Sequence, residues 1–146
     1  MIKQLNQDQA RHLLRKGRIG RLGCIADDEP YVVPVNYVFN GECAYLHSLP
    51  GHKIEAMRKR PRVCLQVDEI EDETNWKSVL AFGTYEEITE RDERAEALNH
   101  LLSSFSRLTP VESLIVEDAG APAPVVFRIR VNRLTGISEG VSDDYS

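Results

Sequence analysis

Apolar and polar positions along the chain fall into two periods, and together they predict about six strands and three helices. Residues 5 to 17 place Ala10, Leu13 and Leu14 at helical spacing. Leu5 would staple the entry, Asn6 would cap it, Gln9 would complete a capping box, and Gly17 would end the helix. Residues 18 to 26 (RIGRLGCIA) read as a strand in which Gly20 and Gly23 allow a bend or the close approach of another backbone. Asp27, Asp28, Glu29 and Pro30 form a polar turn. Tyr31 to Phe39 (YVVPVNYVF) is the strongest strand signal, rich in β-branched and aromatic residues and without charge. Tyr31, Val33, Val35 and Tyr37 would share one face, and Val32, Pro34, Asn36 and Val38 the other. Pro34 has no N–H to give a ladder, so this strand belongs at an edge or is unpaired there. Asn40-Gly41 is a hairpin turn leading into a strand from Glu42 to His47.

Ser48, Pro50 and Gly51 punctuate the chain before Ile54, Ala56 and Met57 give a short helix a partly apolar face. Pro61 stops that helix, and Arg62 to Val67 is again extended. Residues 68 to 75 (DEIEDETN) read as an acidic loop. Trp76 to Ile88 (WKSVLAFGTYEEI) is a long strand, with Trp76 and Ser78 on one face, Lys77 and Val79 on the other, and a bulge or bend at Gly83. Thr89 and Asp92 approximate a capping box. The helix they open has an apolar face through Ala95, Leu98, Leu101, Leu102, Phe105 and Leu108. A loop follows over 109 to 123. Val125 to Ile137 alternates apolar and basic residues, as a strand wet on one side does. Residues 139 to 146 are expected to be a flexible tail. The sum is a mainly β fold in a single domain over 1–146. Six antiparallel strands in a small barrel with flanking helices account for it, and closure would remove the edges that such strands otherwise expose.

Net charge is −5, so nothing suggests a nucleic-acid partner, and any bound phosphate needs a local positive pocket. No apolar run approaches the roughly 20 residues of a membrane span. The N-terminal MIKQLNQDQA lacks a signal-peptide apolar region. Cys24, Cys43 and Cys64 are widely spaced in strand-like runs, which suits small buried apolar residues better than a disulfide or zinc. His12, His47, His52 and His100 show no metal-ligand spacing. The expectation is a cytoplasmic, reduced protein without a metal.

The chemistry-bearing stretch is Glu42 to Val67. His52 and Lys53 sit in the first turn of their helix, beside unpaired N–H groups and the positive end of the dipole, where a cation is mildly unfavourable unless an anion docks. Ser48, the amides around Gly51, His52 and Lys53 could therefore form a phosphate cradle. The alternative is a solvated helix carrying incidental charge. Free backbone groups near Pro34 could bond a planar ligand, or the proline could simply block edge aggregation. His47 is either a structural histidine or a catalyst. It does not pair with Ser48, because consecutive strand residues face opposite ways. Trp76 is a core or interface anchor, or a ring-stacking residue. No nucleophile elbow, dinucleotide fingerprint or P-loop is present.

Three blocks, PYVVPVNYVF, AYLHSLPGHKIEAMRKRPRVCLQVD and NWKSVLAFGTYEEI, resemble the FMN-binding split β-barrel family. These are the relatives of pyridoxamine 5′-phosphate oxidase, and the resemblance is nearest to the nitroimidazole reductase (Nim) branch. It covers about residues 5 to 138, and the H-S-x-x-G-x-K run followed by R-x-P-R-V is its most specific part. It implies a six-stranded antiparallel split barrel and a homodimer with FMN at the subunit interface. By motif, His52 and Lys53 would hold the phosphate, with Ser48 and His47 beside it. Pro34, Val35, Asn36 and Tyr37 would line the flavin ring, and Trp76, Ser78 and Val79 would approach from the partner subunit. His47 would carry the link to substrate or electron-donor chemistry. The implied activity is FMN-dependent transfer of electrons from NAD(P)H to a small acceptor such as a nitroaromatic compound. The alternatives are a flavin-binding or sensing module without turnover, or a barrel holding haem or a deazaflavin. His52 stands where the oxidases carry an arginine, which would weaken the phosphate grip and make it pH-dependent near a histidine's usual pKa of about 6.5. The chain ends RIRVNRLTGISEGVSDDYS, without the oxidases' C-terminal substrate-binding block, so oxidation of pyridoxamine phosphate is not expected.

Overall fold

A computed structural model describes residues 1–104 and 123–140. The elements run β1 (Ile2–Gln4), α1 (Gln7–Lys16), β2 (Ile19–Ala26), β3 (Glu29–Asn36), β4 (Val38–Phe39), β5 (Cys43–Ser48), α2 (His52–Lys59), β6 (Arg62–Asp72), β7 (Asn75–Glu87), α3 (Arg91–Ser103) and β8 (Val125–Glu139). The capping box at α1 forms as its residues predict. The Asn6 carboxamide accepts from the Gln9 N–H, and the Gln9 side chain accepts from the Asn6 N–H, both at 2.8 Å.

All strand pairs are antiparallel and join one sheet in the order β3-β2-β6-β7-β8-β5-β4, with β1 added along β8. The six long strands are those expected; β1 and β4 are short additions. The sheet is not closed. β3 and β4 are its two ends, so the fold is the split barrel that the family resemblance implies and not the closed one that strand edges alone suggest. β3 lies at the edge, which accommodates Pro34. The chain breaks its extended run at Tyr37, whose N–H turns to the Arg18 carbonyl. Between β2 and β3 the turn is only Asp27-Asp28, both at positive φ (52° and 64°), and Glu29 and Pro30 belong to the strand. Asp and Asn tolerate that region better than most residues.

Residues 68–75 are not a loop. β6 continues to Asp72 and β7 starts at Asn75, so they form a long hairpin with a two-residue turn. Asp72 holds it: its carboxylate accepts from the Thr74 N–H and from Asn75 Nδ2, each at 2.9 Å. These bonds, Asn75's foremost, pull its pKa below the usual carboxylate range. The acidic residues cost the strand little because they project from the sheet into water, and Asp68 is paired with Arg21 at 2.6 Å. The cap of α3 is Glu90 rather than Thr89, its carboxylate accepting from the Asp92 and Glu93 amides. Ala97, Leu98 and Leu101 are its buried residues, while Ala95 is exposed. Phe105, Leu108, the loop expected from residue 109 and the tail beyond Gly140 lie outside the described residues. Glu139 is not tail but strand, and accepts from Trp76 Nε1 at 3.1 Å.

The inner face of the sheet carries Leu22, Leu65, Val67, Val79, Ala81, Phe127 and Ile129, all closed to solvent or nearly so, and α1 and α2 cover it with Leu13, Leu14, Ile54 and Met57. Each fully buried aliphatic or aromatic side chain of this kind contributes about 1.5–3 kcal/mol. The outer face has the opposite parity. One register row runs Arg21, Gln66, Leu80 and Thr135, and the next runs Gly23, Cys64, Phe82 and Arg133.

Candidate functional site

Where β5 ends, Ser48, Leu49, Pro50 and Gly51 turn the chain into α2. Gly51 occupies the N-cap position, and no side chain caps the helix. The Ser48 hydroxyl donates to the Leu49 carbonyl at 3.0 Å instead. A Cβ on Gly51 would meet no atom of the described residues within 4 Å, so among these residues the first turn of α2 is open. The unbonded amides of such a turn, and the dipole behind them, favour an anion.

Beside this turn lies a cleft of about 400 Å3 lined by Ile19, Pro34, Val35, Asn36, His47, Ser48 and Lys53. β3 brings Pro34 and Asn36 as an edge strand without a further neighbour. β5 brings His47 and Ser48, and α2 brings Lys53. The Lys53 ammonium is half-buried and has no carboxylate partner among the described residues. Burial pulls its pKa below that of an ordinary lysine, and the Cys24 thiol close by opposes that shift. An uncompensated, partly desolvated ammonium is costly unless an anion joins it. His47 is half-buried on β5, with Val126 of β8 opposite it in register.

Six of the eleven residues singled out from the sequence thus meet in one cleft: Pro34, Val35, Asn36, His47, Ser48 and Lys53. The other five stand elsewhere. His52 points away, with Nε2 3.5 Å from the Asp27 carboxylate and its ring edge-on to Tyr31 at 6.1 Å. It lines a neighbouring cavity of about 240 Å3 with Asp27, Asp28, Lys59 and Arg60. Tyr37 is fully buried, and its hydroxyl donates to the Leu14 carbonyl at 2.6 Å. That burial raises its pKa. Val79 is fully buried in the core, because inward parity on β7 points it toward the helices. Trp76 and Ser78 lie on the outer face, where Ser78 Oγ accepts from Gln66 Nε2 at 3.0 Å. Ile19 was not among the candidates. It is exposed and faces Asn36 across β2 and β3, a position that only the strand register discloses.

Among the described residues, no group of three or more His, Cys, Asp or Glu side chains could hold a metal ion. No helix there is long and apolar enough to cross a membrane. One cation, an open helix start and a strand edge thus meet in the cleft, the kind of arrangement that can receive a phosphorylated planar ligand.

The family model for pyridoxamine 5′-phosphate oxidase matches residues 6–138 of the chain. An uncharacterized protein of Rhizobium meliloti (strain 1021) is 31% identical over 141 residues, which are 92% of this chain and 93% of that protein. The crystal structure of a FAD-binding protein from Mesorhizobium loti is 34% identical, with a TM-score of 0.80 over 96% of this chain and 99% of the other. That of a candidate 5-nitroimidazole antibiotic resistance protein from Bacteroides thetaiotaomicron covers 94% of this chain and 89% of its own, with a TM-score of 0.72. At 20% identity the latter shares the fold alone.

Proposed function

Because the chain belongs to the pyridoxamine 5′-phosphate oxidase family, we propose that it binds a flavin nucleotide, FMN, in the cleft beside α2 and serves as an oxidoreductase. Electrons would come from NAD(P)H and pass to a small acceptor such as a nitroaromatic compound. The observation that carries this reading is the half-buried Lys53 ammonium, unpaired with any described carboxylate, at the open first turn of α2.

The residues present fit the group. Lys53, Ser48 and the first α2 amides would hold the phosphate, the cation by charge and the amides by direct hydrogen bonds. Pro34, Val35 and Asn36 would line the ring along the β3 edge, where backbone groups have no strand neighbour. His47, at the end of β5, is positioned to orient an acceptor or to move a proton at its imidazole. The bound flavin would supply the redox chemistry, while this chain supplies binding, orientation and electrostatics. His52 is left out of the phosphate grip because it turns to Asp27, and Val79 is left out because its side chain is enclosed.

A homodimer belongs to the same proposal. Ile19, Ile70, Leu80 and Ile137 are large apolar side chains exposed on the outer face, at the end that also carries Trp76 and Ser78. Contiguous exposed apolar surface on a small protein marks an interaction site. A second copy seated there would bring its Trp76 and Ser78 toward the first copy's cleft.

FAD is a second reading, favoured by the cavity next to the cleft that His52 lines and by the FAD-binding relative at 34% identity. The visible spectrum of the purified protein, followed by release and mass determination of the chromophore, separates the two. NAD(P)H consumption with and without a nitroaromatic acceptor then tests turnover. Colourless protein that leaves the fluorescence of added FMN and FAD unchanged would refute both readings.

A further inference from the structure

Among the described residues, five arginines lie on the strands, and three of them are paired. Arg21 binds Asp68, Arg128 binds Glu86 and Glu93, and Arg130 binds Glu86. The remaining two, Arg62 on β6 and Arg133 on β8, have no carboxylate partner among the described residues. Both line one cavity of about 400 Å3 on the outer face of the sheet, and no Asp or Glu of the described residues lines it. In a chain of net charge −5 this is a local patch of the opposite sign. The cavity shares no lining residue with the cleft beside α2.

Its construction follows from the strands. Gly23 faces outward at its floor, and a Cβ there would meet only the Cys64 carbonyl at 3.7 Å and Val32 Cγ2 at 4.0 Å. The missing side chain is the space. Val32 and Ile25 supply apolar wall. On the other side the β7–β8 register skips Asn132, so Phe82 pairs with Arg133 while Gly83 pairs with Val131. Bulges of this kind re-aim side chains. Here the Arg133 guanidinium comes to lie over the Phe82 ring, 4.0 Å from its centroid. Stacking occupies the face of a guanidinium and leaves the N–H donors around its edge free.

We infer that this cavity is a binding site for a small planar organic anion, an aromatic carboxylate. The carboxylate is received by Arg62 and Arg133, and the ring lies among Phe82, Val32 and Ile25. Guanidinium–carboxylate bonds are charge-assisted and often bidentate, and apolar walls with a few convergent polar groups are the usual make-up of a small-molecule site.

Isothermal titration of the full chain with salicylate tests this, with salicylamide as the neutral counterpart. Saturable binding with a Kd of about 1 mM or tighter is expected, and the amide should bind at least about tenfold more weakly. Arg133→Gln and Arg62→Gln should each weaken salicylate by about tenfold or more. Gly23→Val should abolish binding by filling the floor, with circular dichroism and thermal melting checking that it folds. If that variant does not fold, the two arginine variants decide the matter alone. Lys53→Met, in the other cleft, should leave salicylate binding unchanged. Absence of saturable binding, equal affinity for acid and amide, or a loss in Lys53→Met without a loss in the arginine variants would overturn the assignment.

Discussion

Replacing Lys53 by methionine separates the phosphate from the rest of a flavin. Methionine keeps most of the aliphatic stem, which matters because Lys53 is half-buried and alanine would also lose packing. What is removed is the ammonium. It has no described carboxylate partner, so the variant leaves no orphaned anion, and any loss reports on the ligand. A charge-assisted hydrogen bond contributes about 1.5–3 kcal/mol, or roughly 10- to 150-fold in Kd. The open α2 amides and Ser48 remain, and the helix terminus alone retains about 0.3–1 kcal/mol of attraction for an anion. FMN should therefore bind about 30-fold more weakly, near the middle of that range. Riboflavin, which lacks the phosphate, should change by no more than about threefold. Quenching of flavin fluorescence in a titration reads both. The protonated lysine is the binding form, and burial lowers its pKa. The wild-type preference for FMN over riboflavin should thus fall as pH rises through alkaline values, beginning before an ordinary lysine would titrate. Phosphate binding itself opposes that shift, so the decline begins at the pKa of the unliganded protein and levels off only above that of the complex. Equal losses for FMN and riboflavin, or a flat pH profile, would place Lys53 outside the phosphate site and refute the reasoning.

His52→Ala should change FMN affinity by less than about threefold, because an exposed His–Asp pair outside the cleft contributes little; a loss as large as that in Lys53→Met would return His52 to the phosphate. Gly83→Ala should lower stability by about 1–3 kcal/mol, since its new Cβ would collide with the Arg130 carbonyl and lie 2.7 Å from Ile129 Cγ2. An unchanged urea midpoint would contradict the bulge as described. Hydrogen bonds from Arg130 and Arg128 hold Glu86 down at about 2 against an ordinary 4.5. Its contribution is full above about pH 4.5 and is lost as pH falls toward 2, so the stability gap between wild type and Glu86→Gln should close across that window. Exposure of the carboxylate limits the gap to about 1 kcal/mol, and acid titration of the unfolding midpoint measures it.

Several of the chain's features are decided within a few residues, and these were legible beforehand. The Asn6–Gln9 box, the end of α1 at Gly17, the edge position of the Pro34 strand and the uncapped start of α2 each follow from local chemistry. The gathering of Pro34, Val35 and Asn36 with His47, Ser48 and Lys53 was legible only through the family resemblance, because β3 and β5 lie near opposite ends of the sheet order and no local signal joins them. What sequence could not disclose is decided by a partner strand. The run DEIEDETN has loop composition, yet it pairs because Arg21 and the strand after it accept its outward acids. Strand parity alone could not say which face of Trp76 to Ile88 would be covered, so Val79 and Ser78 received the same expectation. The helices α1 and α2 settle it by covering the face that carries Val79.

The same dependence on partners explains His52, and with it the shape of the site. A residue in the first turn of a helix can lean toward either flank, and spacing along the helix does not choose between them. The choice is made by the tight Asp27-Asp28 turn, whose positive-φ geometry sets a carboxylate beside α2. His52 takes that carboxylate and the edge of Tyr31, leaving Lys53 as the one charged side chain lining the cleft among the described residues. Two side-chain donors at one uncapped helix end would both lack an acceptor whenever no anion was bound. Assigning one of them to an internal acid lowers that cost and keeps the cleft's charge matched to a single phosphate. On this reasoning Asp27→Asn should free His52 to turn toward the cleft. The variant would then bind FMN more tightly than wild type in the same fluorescence titration, a gain absent for riboflavin.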